Sequence, residues 1–352
     1  MKSCQFLFVL VAVAIPLGIH FGKRHPITKG MVPVLTEMEW KFDHDKVPDL
    51  TGKIAVVTGA NVGLGLSTVK ILARNGAHVV MACRSMFKCQ EAADEVRELD
   101  EADVEVMVVD LSSLQSVVSF AEELNRKHKK LHNLILNAGI MHVPYQLTDD
   151  GLESQFAVNH LSHFLLTHLL APALIRAQPS TVVSVSSNGH FVSYPEGVKL
   201  DLKSLNDEEQ YNALLAYGQS KLCNVLFAQE LSNRFDAMGV QVLSNSLNPG
   251  SVNTELIRQY NPVLQKVAKS LMSSFPNVFA FTPDTAALTL VYAAVSSDIL
   301  DNRLTGNYFV PIAEVCDTSE NAKNITLQKG LWEFSKKLVK DKVGIDVTLN
   351  LN

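Results

Sequence analysis

The chain's 352 residues are long for one domain, and a single large α/β domain with a tail accommodates them. A composition 47% hydrophobic and 19% charged excludes a disordered chain, and a net charge of −5 leaves no cationic footprint for nucleic acid. The five cysteines, Cys4, Cys83, Cys89, Cys223 and Cys316, are scattered without metal-ligand spacing and read as reduced thiols in a cytosol-like compartment.

Phe6 to Ile19 is an unbroken apolar run of fourteen residues, extended to seventeen by His20, Phe21 and Gly22. A full membrane span needs about 20 residues, so three readings stand open: a membrane anchor, a cleaved signal segment, and a hairpin lying in the membrane. Ala12-Val13-Ala14 resembles a cleavage site but falls inside the run, which favours an uncleaved anchor over residues 1–22. Lys23, Arg24 and Lys29 follow it, and that charge favours a cytosolic main body. Residues 23–50 carry Pro26, Pro33 and Pro48 among polar residues and read as a linker.

From Lys53 onward short apolar runs alternate with amphipathic segments. Ile54 to Val57 is apolar and rich in β-branched residues, as suits a strand buried on both faces. Gly59, Gly63 and Gly65 follow, and a helical pattern begins at Leu66. Strand, glycine turn and helix in that order form a phosphate cradle, in which backbone N–H groups and a helix N-terminus face a diphosphate. Further strands are predicted over 77–82, 104–109, 131–136, 181–185, 240–247 and 305–310, with helices over 85–100, 112–127, 151–177, 211–237 and 283–296. This alternation specifies a Rossmann-type, doubly wound, seven-stranded parallel sheet with helices on both faces, spanning 51–312. Residues 313–352 read as a helix around 318–340 with a loose end.

Tyr217 and Lys221 lie four apart on the predicted helix 211–237, so they share a face. A tyrosine has a reference pKa of ~10, whereas a proton donor working near neutrality wants ~7. One cation ~4.5 Å away at an effective dielectric of ~20 supplies roughly 3.7 kcal/mol of the ~4 required. A Tyr and a Lys also share helix faces for no chemical reason, and the pair alone decides little.

The motifs together are more specific. TGANVGLG at 58–65, NAG at 137–139, Asn159 in FAVNHLSHF, SVSS at 184–187, YGQSK at 217–221 and NPG at 248–250 occur in the order of the short-chain dehydrogenase/reductase family. The resemblance runs over about 50–310. ALLAYGQSKLCNVLFAQEL and DGLESQFAVNHLSHFLLTHLL look most like the retinol dehydrogenases and the oxidoreductase domain of WW domain-containing oxidoreductase. It implies Tyr217 as general acid/base, with Lys221 lowering its pKa and holding the nicotinamide ribose. Ser187 would bond the substrate oxygen, and Asn159 would orient Lys221 through a water.

For the cofactor the resemblance implies Gly59, Asn61, Gly63, Leu64, Gly65, Arg84, Asp110, Asn137, Ala138, Gly139, Tyr217, Lys221, Pro249, Gly250, Val252 and Thr254. Asp110 would cap the adenine amino group and Thr254 would meet the carboxamide. The family often has Asn-Asn-Ala-Gly where this chain has Leu136-Asn137-Ala138-Gly139, so Asn137 reads as a support for the sheet. An NAD enzyme places a carboxylate after the second strand. Here Arg84 stands there with Lys88 close behind, which favours NADP(H). His160, His163 and His168 crowd one helix without an H-E-x-x-H pattern, so they read as solvated or core-satisfied and no metal is assigned.

Tyr217 follows Ser187 by thirty positions, so residues 190–215 are expected to fold over the pocket. Residues 255–281, with Leu256, Ile257, Tyr260, Phe275 and Phe279, form an apolar substrate loop after NPG. The favoured reading is a membrane-associated NADP(H) oxidoreductase at the endoplasmic reticulum or a lipid droplet, its catalytic domain facing the cytosol. Its substrate would be a lipophilic alcohol/carbonyl pair: a retinoid first, a steroid or polyprenoid alcohol otherwise. A homodimer stays open. The alternatives are a non-catalytic dinucleotide-binding interaction protein and a secreted soluble carbonyl reductase.

Overall fold

The computed structural model describes residues 40–98, 102–250 and 281–349. The expected anchor over 1–22, most of the linker, most of the loop 255–281, and Val252 and Thr254 lie outside the described residues.

The alternation read from sequence forms as expected. β1 (Ile54–Thr58) leads into α1 (Gly63–Arg74), β2 (His78–Cys83) into α2 (Met86–Arg97), and β3 (Val104–Val108) into α3 (Leu114–Lys127). β4 (Asn133–Leu136) precedes the long helix α4 (Ser154–Arg176), and β5 (Ser180–Val185) precedes α5 (Ala213–Ala237). β6 (Val242–Leu247), α6 (Pro283–Val295) and β7 (Tyr308–Val310) complete the parallel part. Ile312 and Ala313 then reverse the chain, and β8 (Glu314–Val315) pairs antiparallel with β7. The sheet therefore has eight strands, in the order β3-β2-β1-β4-β5-β6-β7-β8, and not the seven expected. Two exposed residues carry no apolar alternation, so nothing in the pattern announced β8.

Strand order reverses between β1 and β4, which both pair with neighbours in parallel: Thr58 lies opposite Ala82 and Val57 opposite Ile135. A crevice at the carboxyl ends of strands on either side of such a reversal is where doubly wound sheets bind ligands. Side chains alternate across the sheet. Val56, Val80 and Ala82 enter one core with α3, α4 and α5, while Ala55, Val57, Val79 and Met81 enter the other with α1, α2 and α6.

The caps follow local chemistry. Pro283 opens α6 behind Thr282, whose hydroxyl accepts from Thr285 N at 3.1 Å. The C-terminal helix forms later than the 318–340 expected, as α7 (Ile325–Val343). Asn324 caps its start, accepting from Leu327 N at 3.1 Å, and Gly344 ends it in the left-handed region at φ 71°. Leu331, Trp332, Leu338 and Val339 of α7 are buried with Phe164 and Phe227, so α7 is part of the main core.

Among the described residues one helix, Ser154–Arg176, is apolar and long enough to cross a membrane by composition alone, and 78% of its apolar window is buried inside the protein. It is the core helix of one sheet face.

The reading of all cysteines as reduced thiols is corrected here: Cys83 and Cys89 are joined by a disulfide, with Cα atoms 6.1 Å apart. The last residue of β2 and the first turn of α2 fold against each other around Arg84 and Ser85, bringing two scattered cysteines within bonding range.

Candidate active site

The glycine turn is built on Thr58 at the end of β1. Its Oγ1 accepts from the backbone N of Asn137 at 2.9 Å and of Ala138 at 3.0 Å, tying the ends of β1 and β4 together at the strand-order reversal. Asn137 answers by donating from Nδ2 to Thr58 O at 2.8 Å and Gly59 O at 3.4 Å. Asn137 thus braces the turn as well as the sheet. Gly59 (φ +67°) and Gly63 (φ +55°) occupy left-handed backbone that glycine adopts without strain. Gly65 faces a different constraint, because a Cβ there would lie 2.2 Å from Gly59 O and 2.6 Å from Asn137 Nδ2. The helix α1 starts this close to the turn only because no side chain intervenes. Asn61 and Leu64 line the same turn, and Leu64 O accepts from Thr68 Oγ1 at 2.8 Å.

Arg84 stands exposed directly after β2. Asp110, after β3, spends its Oδ1 on Ser112, accepting from the backbone N at 2.9 Å and from Oγ at 2.7 Å. Pro249 and Gly250 follow β6 at the same end of the sheet, Gly250 with φ +83°.

Across the crevice, α5 presents Tyr217 and Lys221 on one face. Both are buried, and the Lys221 ammonium lies 5.6 Å from the centre of the Tyr217 ring. Lys221 Nζ donates to Val185 O at 3.0 Å, and Asn224 Nδ2 donates to the same carbonyl at 3.0 Å. Burial holds the Lys221 ammonium down at about 8, so near neutrality it is mainly charged. Ser187 follows β5, and its Oγ accepts from Gly189 N at 3.0 Å. A Cβ on Gly189 would meet Tyr217 Cε1 at 3.0 Å and Ser187 Oγ at 3.5 Å, so this glycine lets the phenol and the hydroxyl share one spot. Gly218 serves the same packing, because a Cβ there would sit 1.8 Å from Val192 O. Ser186 Oγ donates to Lys221 O at 2.7 Å and holds α5 to β5.

Asn159 lies in a π turn, Ala157–Leu161, inside α4. Such bulges reorient side chains within a helix and recur at functional sites. Its Oδ1 accepts from Ile140 N at 2.8 Å, and its Nδ2 donates to Ile140 O at 2.9 Å and Ser220 Oγ at 2.8 Å. A Cβ on Gly139 would lie 3.1 Å from Asn159 Oδ1 and 3.4 Å from Lys221 Nζ, which places both side chains against that glycine.

Sequence reasoning passed over two residues that join these halves. His163 bonds Thr58 Oγ1 through Nε2 at 3.0 Å and Asn159 O through Nδ1 at 3.1 Å, linking the glycine turn to the Asn159 bulge. Burial, offset in part by the Asn159 carbonyl and reinforced by the Lys221 charge, pushes the imidazole down to about 4. It is core-satisfied, as expected, yet it sits inside the site's framework. Thr58 stands first in TGANVGLG, and that position was the available signal.

Residues 190–215 are fastened through side-chain hydrogen bonds. Tyr211 Oη donates to Val143 O at 2.8 Å, Tyr145 Oη donates to Asn206 O at 2.6 Å, and Asn206 Nδ2 donates to Gly151 O at 2.8 Å. These bonds fasten the segment to the chain between β4 and α4.

The Lys221 environment gives a measurable prediction in the cofactor-free protein. A lysine whose folded pKa is depressed binds fewer protons folded than unfolded between about 8 and 10.5, so its contribution to stability rises with pH there. Relative to Lys221→Met, the wild-type chain should gain about 1.5 kcal/mol of unfolding free energy between pH 8 and 9.5. Parallel stability curves for the two proteins would show that Lys221 is not held in a desolvated site.

A glycine cradle at a sheet reversal, faced by a buried Tyr–Lys pair, defines the class: a doubly wound α/β oxidoreductase. A family model described as short chain dehydrogenase matches residues 53–199. WW domain-containing oxidoreductase of Homo sapiens is 39% identical over 300 residues, covering 84% of this chain and 70% of that protein. Retinol dehydrogenase 11 of Homo sapiens is 40% identical over 294 residues, covering 82% of this chain and 86% of that one. The crystal structure of an uncharacterized protein from Mycobacterium Paratuberculosis superposes with a TM-score of 0.67 at 34% identity, covering 85% of this chain and 97% of that one. The chain belongs to the short-chain dehydrogenase family and is an oxidoreductase.

Proposed function

We propose that this oxidoreductase uses NADP(H) to interconvert a lipophilic alcohol with its aldehyde or ketone. The observation that carries the reading is the convergence of Tyr217, Ser187 and Lys221 around Gly189 and Gly139, opposite the glycine turn. The turn suits a dinucleotide: Gly59 and Gly63 take left-handed backbone, and Gly65 packs against Gly59 O with no Cβ between them, so the turn stays tight and its backbone bare of side chains on these three positions. Gly59, Asn61, Gly63, Leu64 and Gly65 would hold the diphosphate, Ala138 and Gly139 the ribose side, and Pro249 and Gly250 the nicotinamide end. The bound nicotinamide supplies or accepts the hydride.

The chain's own residues do the rest. The Tyr217 hydroxyl gives its proton to the carbonyl oxygen during reduction and recovers it during oxidation. Ser187 Oγ donates a hydrogen bond to that oxygen and fixes it beside the phenol. Lys221 places a positive charge under the phenol and favours its ionised form. Asn159, held on three bonds, keeps the Gly139–Lys221 contact in place. Burying Lys221 costs stability, and a module that only bound a dinucleotide would have no need of a phenol and a serine hydroxyl meeting beside it.

Retinoids are the first substrates to test, because relatives named retinol dehydrogenases share 37–40% identity with this chain. Purified full-length protein should reduce all-trans-retinal with NADPH in preference to steroid ketones and long-chain aliphatic aldehydes. Turnover of none of the three classes would set aside the lipophilic-carbonyl reading.

Arg84 is assigned to the 2′-phosphate. Hydrogen bonds to charged groups contribute about 1.5–3 kcal/mol, so Arg84→Asp should weaken NADPH roughly tenfold to a hundredfold and NADH little. Arg84 is exposed, and solvent screening keeps the effect within that range. Equal changes for both cofactors would remove Arg84 from that role.

Attachment to a membrane through residues 6–22 would bring the site to where apolar substrates partition. Disulfides persist mainly in oxidising compartments. The Cys83–Cys89 bond therefore removes the thiol argument for a cytosolic face, and orientation rests on Lys23, Arg24 and Lys29. Digestion of the domain by protease added to sealed microsomes supports the cytosolic face, and protection until detergent is added reverses it.

A further inference from the structure

His78, Glu105 and His128 come together at the far end of the sheet from the glycine turn. His78 opens β2, Glu105 is the second residue of β3, and His128 caps the end of α3. One donor atom from each lies within 4.8 Å of the other two. Glu105 Oε2 is 2.8 Å from His128 Nε2 and 3.5 Å from His78 Nε2, and the two imidazole rings are 5.0 Å apart. Donors around a tetrahedral ion, each ~2.1 Å from it, stand about 3.4 Å from one another.

The surroundings prepare these atoms for a cation. Asp103 Oδ2 lies 2.9 Å from His78 Nδ1. A carboxylate there favours the proton on Nδ1 and leaves Nε2 with its lone pair, as in the carboxylate-oriented histidines of metal sites. That Nε2 is buried and has no hydrogen-bond partner among the described residues. A buried imidazole nitrogen aimed at a carboxylate without a bond to it is what a missing ligand would leave.

Charge agrees. Lys127 Nζ is bound to the other Glu105 oxygen, Oε1, and to Glu123 at 3.0 Å, so Oε2 still faces the histidines. Asp103 and Glu123 add two further carboxylates beside Glu105 and Lys127.

We propose that His78, Glu105 and His128 bind a first-row divalent cation, with zinc the best match for two imidazoles and one carboxylate. On binding, His128 takes the tautomer with its N–H on Nδ1, the proton exchanging through solvent, and the Nε2 lone pair turns from Glu105 to the metal. Glu105 Oε2 and His78 Nε2 complete three protein ligands, and water fills the fourth position. The ion would staple β2, β3 and α3 at the sheet edge, away from Arg84 and Tyr217.

The test titrates Zn2+ into metal-free full-length protein near pH 7.5 by calorimetry. The expected result is one Zn2+ per chain. His78→Gln and His128→Gln should each weaken it at least about a hundredfold, with NADPH affinity unchanged as evidence of folding. Asp103→Asn, which removes an exposed group that contacts no metal, should weaken it about tenfold. Absence of a one-to-one site in the wild type overturns the proposal. So does a site whose affinity survives in all three variants, because the ion then binds elsewhere. If either histidine variant fails to fold, the Asp103→Asn result decides.

Discussion

Tyr217→Phe is expected to lower kcat by a factor of about 100 to 10,000 while NADPH affinity changes by less than about threefold. The phenylalanine ring retains the packing of the phenol against Gly189 and over Lys221, so the backbone around the site has no reason to move. Only the hydroxyl is lost, and with it the group proposed to deliver the proton to the carbonyl oxygen. The cofactor would be held by the glycine turn, Lys221 and Arg84, none of which the substitution touches. Steady-state rates together with fluorescence titration of NADPH separate these effects. Near-wild-type turnover in Tyr217→Phe would take Tyr217 out of the mechanism, and a parallel collapse of NADPH binding would recast it as a cofactor ligand. Lys221→Ala should differ by losing both, since one ammonium is assigned two tasks.

The second large effect is expected at Gly65. In Gly65→Ala the new methyl group would stand 2.2 Å from Gly59 O and 2.6 Å from Asn137 Nδ2. Both neighbours are tied down, Asn137 to Thr58 O and Gly59 N to Ala82 O at 2.8 Å, so relief must come from shifting α1 or opening the turn. Overpacking of this kind costs about 1–3 kcal/mol, and here it falls on the turn proposed to hold the diphosphate. NADPH affinity should drop by roughly tenfold to a hundredfold, and the melting temperature should fall with it. Unchanged affinity in a folded Gly65→Ala protein would place the dinucleotide elsewhere.

The seven parallel strands were legible because apolar, β-branched runs such as Ile54 to Val57 have few alternatives once both faces are covered. The glycine turn and the Tyr217–Lys221 step were legible because each is a local spacing that a strand–turn–helix or one helix face converts directly into geometry. Much of what sequence did not show depends on distant pairing. His163 meets Thr58 across 105 positions, and its neighbours in sequence say only that it is buried. The His78–Glu105–His128 cluster draws on two strand starts and one helix end, and no regular spacing encodes it. Cys83 and Cys89 lacked a ligand-like spacing, but the turn between strand and helix brings them together. Strand β8 failed for the opposite reason, being too short and too exposed to leave a pattern.

Deuterium transfer from [4,4-2H2]NADPH to all-trans-retinal, read by mass spectrometry of the alcohol, tests the central assignment most directly. If the chain is a dehydrogenase acting through Tyr217 and Lys221, one deuterium appears on the carbinol carbon with wild-type protein and is lost with Tyr217→Phe. An unlabelled product, or labelling that persists undiminished in Tyr217→Phe, would contradict it.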